Sequence, residues 1–455
     1  MREVAGLIHG VVADKGLVGH TDDEAGTAAR AGETRVRSLR VNIGWTLAGN
    51  IIYMGCQWAM SMAIAKLGSA VALGQFSLGM SIAAPLFMAL GLQLRGVQAT
   101  DARDEFRFGD YLLVRVVMSS VALVIIAMVA AGGYGLGVLT SETALVIGLV
   151  GIAKGAESLS DILYGLQQRY EEMRVIATSS IVKGVLSLLL LSGAMVAAGS
   201  VIGATAALAV SWTAVLWWRD LPCGVAVHRR EGLGAMAISR EWRAGWRLVK
   251  TVLPLGLMLF LISMTPVIPR LFIASKVSLR DLGIYAAITY VMMVGQTVVA
   301  AVGQSASPRL ARLSAGGDRR GYLRLLSKLC LFGGVVGIGG MVGAVGAGEL
   351  VLRFLYTAEY GDYGGALTIV MFAAALQYLA TFIEYGITAA REFRAQVIPA
   401  GASLGVTVMA SWLLIPTGGI IGACWTLVVG QFVALVGRGM VLGMVVRGMG
   451  DVAPR

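Results

Sequence analysis

Twelve long apolar runs are spaced along this chain, and they constrain its fold more than any other feature. They lie at about 41–64, 72–94, 111–131, 143–165, 175–197, 200–218, 251–274, 282–305, 325–346, 365–388, 397–416 and 420–446. A helix needs about 20 consecutive apolar residues to cross a bilayer. Only helices or closed barrels satisfy every backbone group there. The runs are continuous rather than alternating, which selects helices. The expected fold is therefore all-α and polytopic, with about twelve transmembrane helices. Composition agrees: 57% of residues are hydrophobic and 14% charged, against roughly 25% charged in an ordinary soluble domain. So few charges cannot coat a water-exposed surface.

The net charge of +11 reflects the excess of Lys and Arg that accumulates in cytoplasmic loops, not a nucleic-acid partner. With the N-terminus inside, the inner segments carry clusters such as Arg35, Arg37 and Arg40, Arg229 and Arg230, Arg319 and Arg320, and Arg438 and Arg447. The outer segments carry Lys66, Lys276, Arg280 and Arg353. Both termini are thus expected in the cytoplasm. Residues 1–38 are polar and of mixed charge, with no apolar stretch of a signal peptide, and read as a flexible cytoplasmic tail. Residues 447–455 read as a second, short tail. The four cysteines show no metal-pair spacing, and the three histidines lie in polar segments. No metal site is expected.

The basic segment 219–250, with Trp242 and Trp246, suits the headgroup layer and is read as a cytoplasmic linker. It divides the chain into six plus six helices, 39–218 and 251–446. The halves resemble each other. Lys66 is followed by Leu73-Gly74 and then Phe76, and Lys276 by Leu282-Gly283 and then Tyr285, each at a helix start. Later, Tyr164-Gly165 precedes Arg169 as Tyr385-Gly386 precedes Arg391. Two matches in one order point to a duplicated six-helix unit. In transporters built from such repeats the substrate sits near the midplane, between the halves.

Ionisable groups inside spanning helices cost roughly 2.5–3.5 kcal/mol each on insertion scales and so face a wet cavity or a partner. Lys154, Glu157 and Asp161 fall within an arc of about 60° on the fourth helix, and Tyr164 and Gln168 extend that face. The stripe reads as a cavity wall that meets substrate or a coupling ion. A Lys154–Glu157 or Lys154–Asp161 pair that merely joins helices is the other reading. On the tenth run Glu384 is a candidate proton or cation site, or else a partner of Arg391. Arg270 lies deep in the seventh run, where Pro266 and Pro269 interrupt the helical ladder. Its planar fork of donors suits phosphate, and Lys183 is a second buried cation. Each also serves as half of a structural salt bridge. A cationic cavity suits an anionic substrate.

The charge-alternating loop 95–110 is either a solvated loop with local pairs or a gate. In the second case Asp101, Arg103 and Asp104 meet Arg309 and Arg312 of the equivalent loop at the cytoplasmic side. No Walker-type phosphate loop is present, so ATP hydrolysis is not expected. No cofactor is expected either, only coupling to H+ or Na+. The 61 glycines lie mostly in the apolar runs, where small residues allow helices to pack closely and slide.

The segments SLGMSIAAPLFMALGLQLRGVQATDARDEFRFGDYLLVR and KGAESLSDILYGLQQRYEEMRVIATSSIVKGVLS closely resemble bacterial polysaccharide flippases. These are the O-antigen, capsule and exopolysaccharide exporters of the multidrug, oligosaccharidyl-lipid and polysaccharide exporter superfamily. The likeness runs from about 38 to 446 and is strongest between 60 and 190. It implies a V-shaped, two-lobed bundle in the bacterial inner membrane, with a central cationic cavity that flips an undecaprenyl-diphosphate-linked oligosaccharide. By that resemblance Arg270, Lys183 and Lys154 attract the diphosphate or acidic sugars. Glu157, Asp161 and Glu384 handle a coupling ion or sugar hydroxyls. Membrane lipids, a polysaccharide polymerase and a chain-length regulator are the implied partners. Three rival readings are a cation- or proton-coupled drug antiporter of the same superfamily, which would favour an acidic cavity, a membrane-embedded polymerase or ligase, which would place its chemistry in a large outer loop, and a peptidoglycan-precursor flippase, close in fold, which would carry two further helices beyond the twelve runs seen here. The longest outer segment here, about 347–364, holds no histidine.

Overall fold

Apolar sequence of this length becomes helix almost end to end. The computed structural model describes residues 39–101, 105–233, 236–239, 241–392 and 394–449. The two tails, apart from 447–449, and the gate candidates Arg103 and Asp104 lie outside the described residues. The helices are α1 (Leu39–Leu67), α2 (Ala70–Thr100), α3 (Phe108–Gly135), α4 (Ser141–Arg169), α5 (Met173–Ala198) and α6 (Val201–Arg230). There follow α7 (Trp242–Met264, resumed at Ile268–Lys276), α8 (Leu279–Ala315), α9 (Arg319–Leu355) and α10 (Gly364–Ala389). The final stretch, Val397–Gly448, runs through a non-helical residue, Gly419, with φ 53° and ψ −130°.

Gly419 turns that stretch into a hairpin, α11 (397–418) and α12 (420–448). The Ser403 hydroxyl donates to the Gly430 carbonyl at 2.9 Å, Gly437 faces Pro399 and Gly422 sits on the Leu414 backbone. Only antiparallel neighbours give such pairs. Pro416 and Gly418-Gly419 supply the break, since proline lacks the N–H and glycine tolerates positive φ.

Among the described residues nine helices are long and apolar enough to cross a membrane, and a tenth if the bent pair Trp242–Pro254 and Gly256–Met264 is one span. Opening the hairpin and adding α1, where Asn50 and Gln57 dilute the apolar run, accounts for all twelve expected segments. The stretch 219–250 differs from the expected linker. A π-helical turn at Leu216–Asp220 carries α6 on to Arg230, and α7 starts at Trp242. Only 231–241 lies between them.

The repeat signature meets itself in space. Ser69 caps α2 by accepting from Ala72 N, and Ser278 caps α8 by accepting from Asp281 N. Five residues on, Gly74 and Gly283 cross. A Cβ at Gly74 would collide with the Leu279 carbonyl, and a Cβ at Gly283 with the Ala70 carbonyl. Each glycine thus sits on the first-turn carbonyl of the other helix, as a pseudo-twofold axis requires. Around this seam Trp58 Nε1 donates to the Tyr356 hydroxyl (3.2 Å), which donates to the Ala287 carbonyl (3.0 Å). Lys66 Nζ donates to the Phe354 carbonyl at 2.7 Å.

The seventh span breaks between Met264 and Ile268, where Pro266 leads the sequence to expect it. Its two parts have different neighbours. The first packs on α2 and α3, with Gly256 against Ala89 and Leu92 and Gly245 against Leu113. The second packs mainly on the α11–α12 stretch.

Candidate functional site

The polar stripe of α4 forms a connected charge network, assembled by neighbours close in space but distant in sequence. Lys154 Nζ lies 2.7 Å from Glu157 Oε2 and 5.3 Å from the Trp212 ring centre. The Tyr53 hydroxyl of α1 donates to Glu157 Oε1 at 2.8 Å. Of the two pairings open to Lys154, the structure forms the one with Glu157.

Asp161 instead joins two arginines. Arg95 Nη1 is 3.2 Å from Oδ1, and Arg115 Nη2 is 3.1 Å from Oδ2. Arg115 is 4% exposed and also donates to Ser158 Oγ at 3.3 Å. The Arg95 side chain is 35% exposed, and its Nε donates to Gln168 Oε1 at 3.0 Å. Two glycines make this possible. Gly165 lets the backbone of Arg95 and the side chain of Gln98 press against α4, and Gly91 leaves room for the Arg115 guanidinium. Between Leu90 and Leu94 the α2 helix breaks at Leu92 and Gln93, both left-handed (φ 50° and 52°). Non-glycine residues seldom adopt that conformation.

Beneath Arg95 lies a sealed pair. Lys183 and Asp220 are 2% and 0% exposed, with Nζ 3.2 Å from Oδ2. Lys183 also donates to Ser160 Oγ at 2.8 Å. The Tyr164 hydroxyl donates to Asp220 at 3.2 Å, and the Ser179 hydroxyl donates to it as well. Enclosed in this way, Lys183 does not offer the direct substrate contact expected of it. In sequence it reads as a lone cation because its carboxylate arrives 37 residues later (220 − 183), on the π-turn of α6.

In the second half Arg270 donates to Thr289 Oγ1 of α8 at 3.4 Å. It is half-buried, and no carboxylate pairs with it among the described residues. Glu384 pairs with Arg438 of α12 at 3.0 Å rather than with Arg391. The reason is local: α10 ends at Ala389, and Arg391, with φ 64°, already belongs to the turn beyond it. Asp101 closes its own loop, accepting from Glu105 N (3.2 Å), Phe106 N (3.4 Å) and the Tyr111 hydroxyl (3.1 Å). Burial works against its charge, yet these three donors hold its carboxyl below the usual range. Arg309 and Arg312 are exposed near the end of α8.

Three residues escape a reading of the sequence: Arg95, Arg115 and Asp220. Arg95 and Asp220 sit just beyond the edges of apolar runs and Arg115 in the first turns of one, where each counts as a charge of the membrane boundary. One signal could have found them, the helical continuation past the runs. Together the network sets four cations, Arg95, Arg115, Lys154 and Lys183, against three carboxylates, Glu157, Asp161 and Asp220.

No family model matches the chain. It is similar to the capsular polysaccharide biosynthesis protein CapF of Staphylococcus aureus. The two are 23% identical over 400 residues, covering 87% of this chain and 97% of the relative. Its fold is that of the lipid II flippase MurJ in an inward closed conformation, with a TM-score of 0.71 at 10% identity over 90% of each chain. An inward-facing multidrug resistance MATE transporter of the MOP superfamily aligns with a TM-score of 0.63 at 14% identity, over 92% of this chain and 98% of that one. The expected fold, all-helical with many membrane-length helices, is the one found.

Proposed function

We propose that this chain flips a lipid-linked oligosaccharide, joined to its lipid through a diphosphate, from the cytoplasmic to the periplasmic leaflet of the bacterial inner membrane. The halves alternate access around a central site, with both chain ends in the cytoplasm. Support comes from the similarity to a capsular polysaccharide biosynthesis protein along nearly its whole length and from the fold shared with a lipid II flippase. The observation that carries the reading is cationic. Arg270 has no carboxylate partner among the described residues, and Arg95 keeps a third of its side chain exposed beside Asp161. A buried charge without a counter-ion is costly, and an incoming anion relieves that cost. Guanidinium forks match phosphate oxygens well. An extruder of cations would gain nothing from such groups.

In this reading Arg270, Arg95 and Lys154 engage the diphosphate or acidic sugars, and Lys183 acts from below. Glu157, Asp161 and Glu384 meet sugar hydroxyls or the coupling ion, H+ or Na+. Asp101, Arg103 and Asp104 approach Arg309 and Arg312 when the cytoplasmic side closes. A polymerase and a chain-length regulator receive the product. The test is complementation of a strain lacking its own copy. Arg95→Ala and Arg270→Ala should reach the membrane at the wild-type level, lose surface polymer and accumulate the lipid-linked intermediate. Normal polymer from both variants would sink the reading. Raised sensitivity to cationic dyes with intact polymer would favour a drug antiporter.

A further inference from the structure

The Lys183–Asp220 pair poses a physical question. A sealed ion pair contributes little net stability, because desolvation offsets the attraction, and apolar residues of similar volume often serve equally well. Its presence at 2% and 0% exposure asks for a role that apolar residues could not fill. Tyr164 supplies one. Its hydroxyl is held from one side by both Asp220 oxygens, at 3.2 and 3.3 Å, and by Lys183 Nζ at 3.3 Å. Its ring centre lies 5.2 Å from Lys183 Nζ and 5.6 Å from the Arg95 guanidinium. The ring therefore bridges a buried cation and a half-exposed one. Asp220 reaches it from the last residue of the π-helical turn in α6. Such a turn re-aims a side chain and often marks a functional position.

We propose that Asp220 and Lys183 are positioning residues for Arg95, acting through Tyr164. The pair fixes the phenol, and the phenol face fixes the guanidinium that meets the anionic head of the substrate. This rests on the reading of Arg95 as substrate-facing. Asp161 restrains Arg95 at one edge and Tyr164 supports its plane, so the fork is preorganised rather than free to search.

The test uses the full chain in detergent micelles with geranylgeranyl diphosphate as probe, and reads Kd together with elution volume and melting temperature. Tyr164→Phe keeps the ring and removes the hydroxyl. Lys183→Met with Asp220→Leu removes both charges at once and avoids stranding one. Each should weaken binding about three- to thirty-fold, the range of a partly desolvated cation–π contact. In an Arg95→Ala background each should change Kd by less than about two-fold, since coupled residues are non-additive. Full additivity with Arg95→Ala overturns the proposal. So does unchanged binding by both variants while Arg95→Ala alone is weakened, an outcome that leaves Arg95 in its role. Unchanged binding by Arg95→Ala removes the reading of Arg95, and the proposal with it. A merely structural role would lower the melting temperature without coupling to Arg95.

Discussion

The fourth and tenth helices carry the same Tyr-Gly pair near their C-terminal ends, at 164–165 and 385–386, yet the two pairs have different surroundings. On α4, Tyr164 holds a buried carboxylate and a buried ammonium. On α10, the Tyr385 hydroxyl meets uncharged partners, the Ala300 carbonyl at 3.4 Å and the Gln304 side chain. Gly165 admits the end of α2 with Arg95 and Gln98, whereas Gly386 admits Tyr322 and Leu326 of α9. A glycine at one register gives proximity in both helices, to the segment bearing Arg95 in the first and to the Tyr322 and Leu326 side chains in the second. At this register α4 meets buried charge while α10 meets packed side chains.

Three perturbations can break or sharpen this contrast. The largest effect is expected from Asp161→Ala. It strands Arg115, whose side chain is 4% exposed, without its carboxylate. Breaking a buried pair costs about 3–5 kcal/mol. The 33% exposure of Asp161 reduces this to about 2 kcal/mol or somewhat more, readable as a fall in melting temperature in detergent. A variant as stable as the parent would mean that Arg115 finds another partner. Next comes the matched pair Tyr164→Phe and Tyr385→Phe. The first loses a hydroxyl bonded to charged groups and should cost about 1.5–3 kcal/mol, the second at most about 1 kcal/mol. Equal losses by chemical denaturation would erase the distinction between the halves. Smallest is Glu384→Gln. With its side chain 41% exposed against Arg438, it should change stability by less than about 1 kcal/mol. A larger drop would reveal a charged core in the second half as well.

The helices were legible because hydropathy is a local property. All twelve apolar runs became helical segments, and the break before Ile268 and the hairpin at Gly419 fall at Pro and Gly residues visible in the chain. The face shared by Lys154, Glu157 and Asp161 was legible too, since periodicity tells which residues share a side. What covers that side was not. Lys183 reads as open because nothing near it in sequence announces Asp220. Arg95 was hidden for a different reason. The α2 helix runs 21 residues to Leu90, about 31 Å at 1.5 Å per residue and enough for about 30 Å of hydrocarbon, then resumes past the break as Leu94–Thr100. Its last turns lie outside the apolar run, where Arg95 looks like an ordinary topological charge. Hydropathy marks where lipid ends, not where helix ends.

The crossing of Gly74 and Gly283 has a mechanical corollary. Where two helices meet through interdigitated side chains, changing their angle means lifting knobs out of holes, and the barrier grows with every knob. At this point backbone rests on backbone, with no side chain to withdraw. Such a contact resists sliding, because each carbonyl is seated over a residue without a Cβ. A methyl group added at either glycine would act as a shim, prying the helices apart at their point of closest approach.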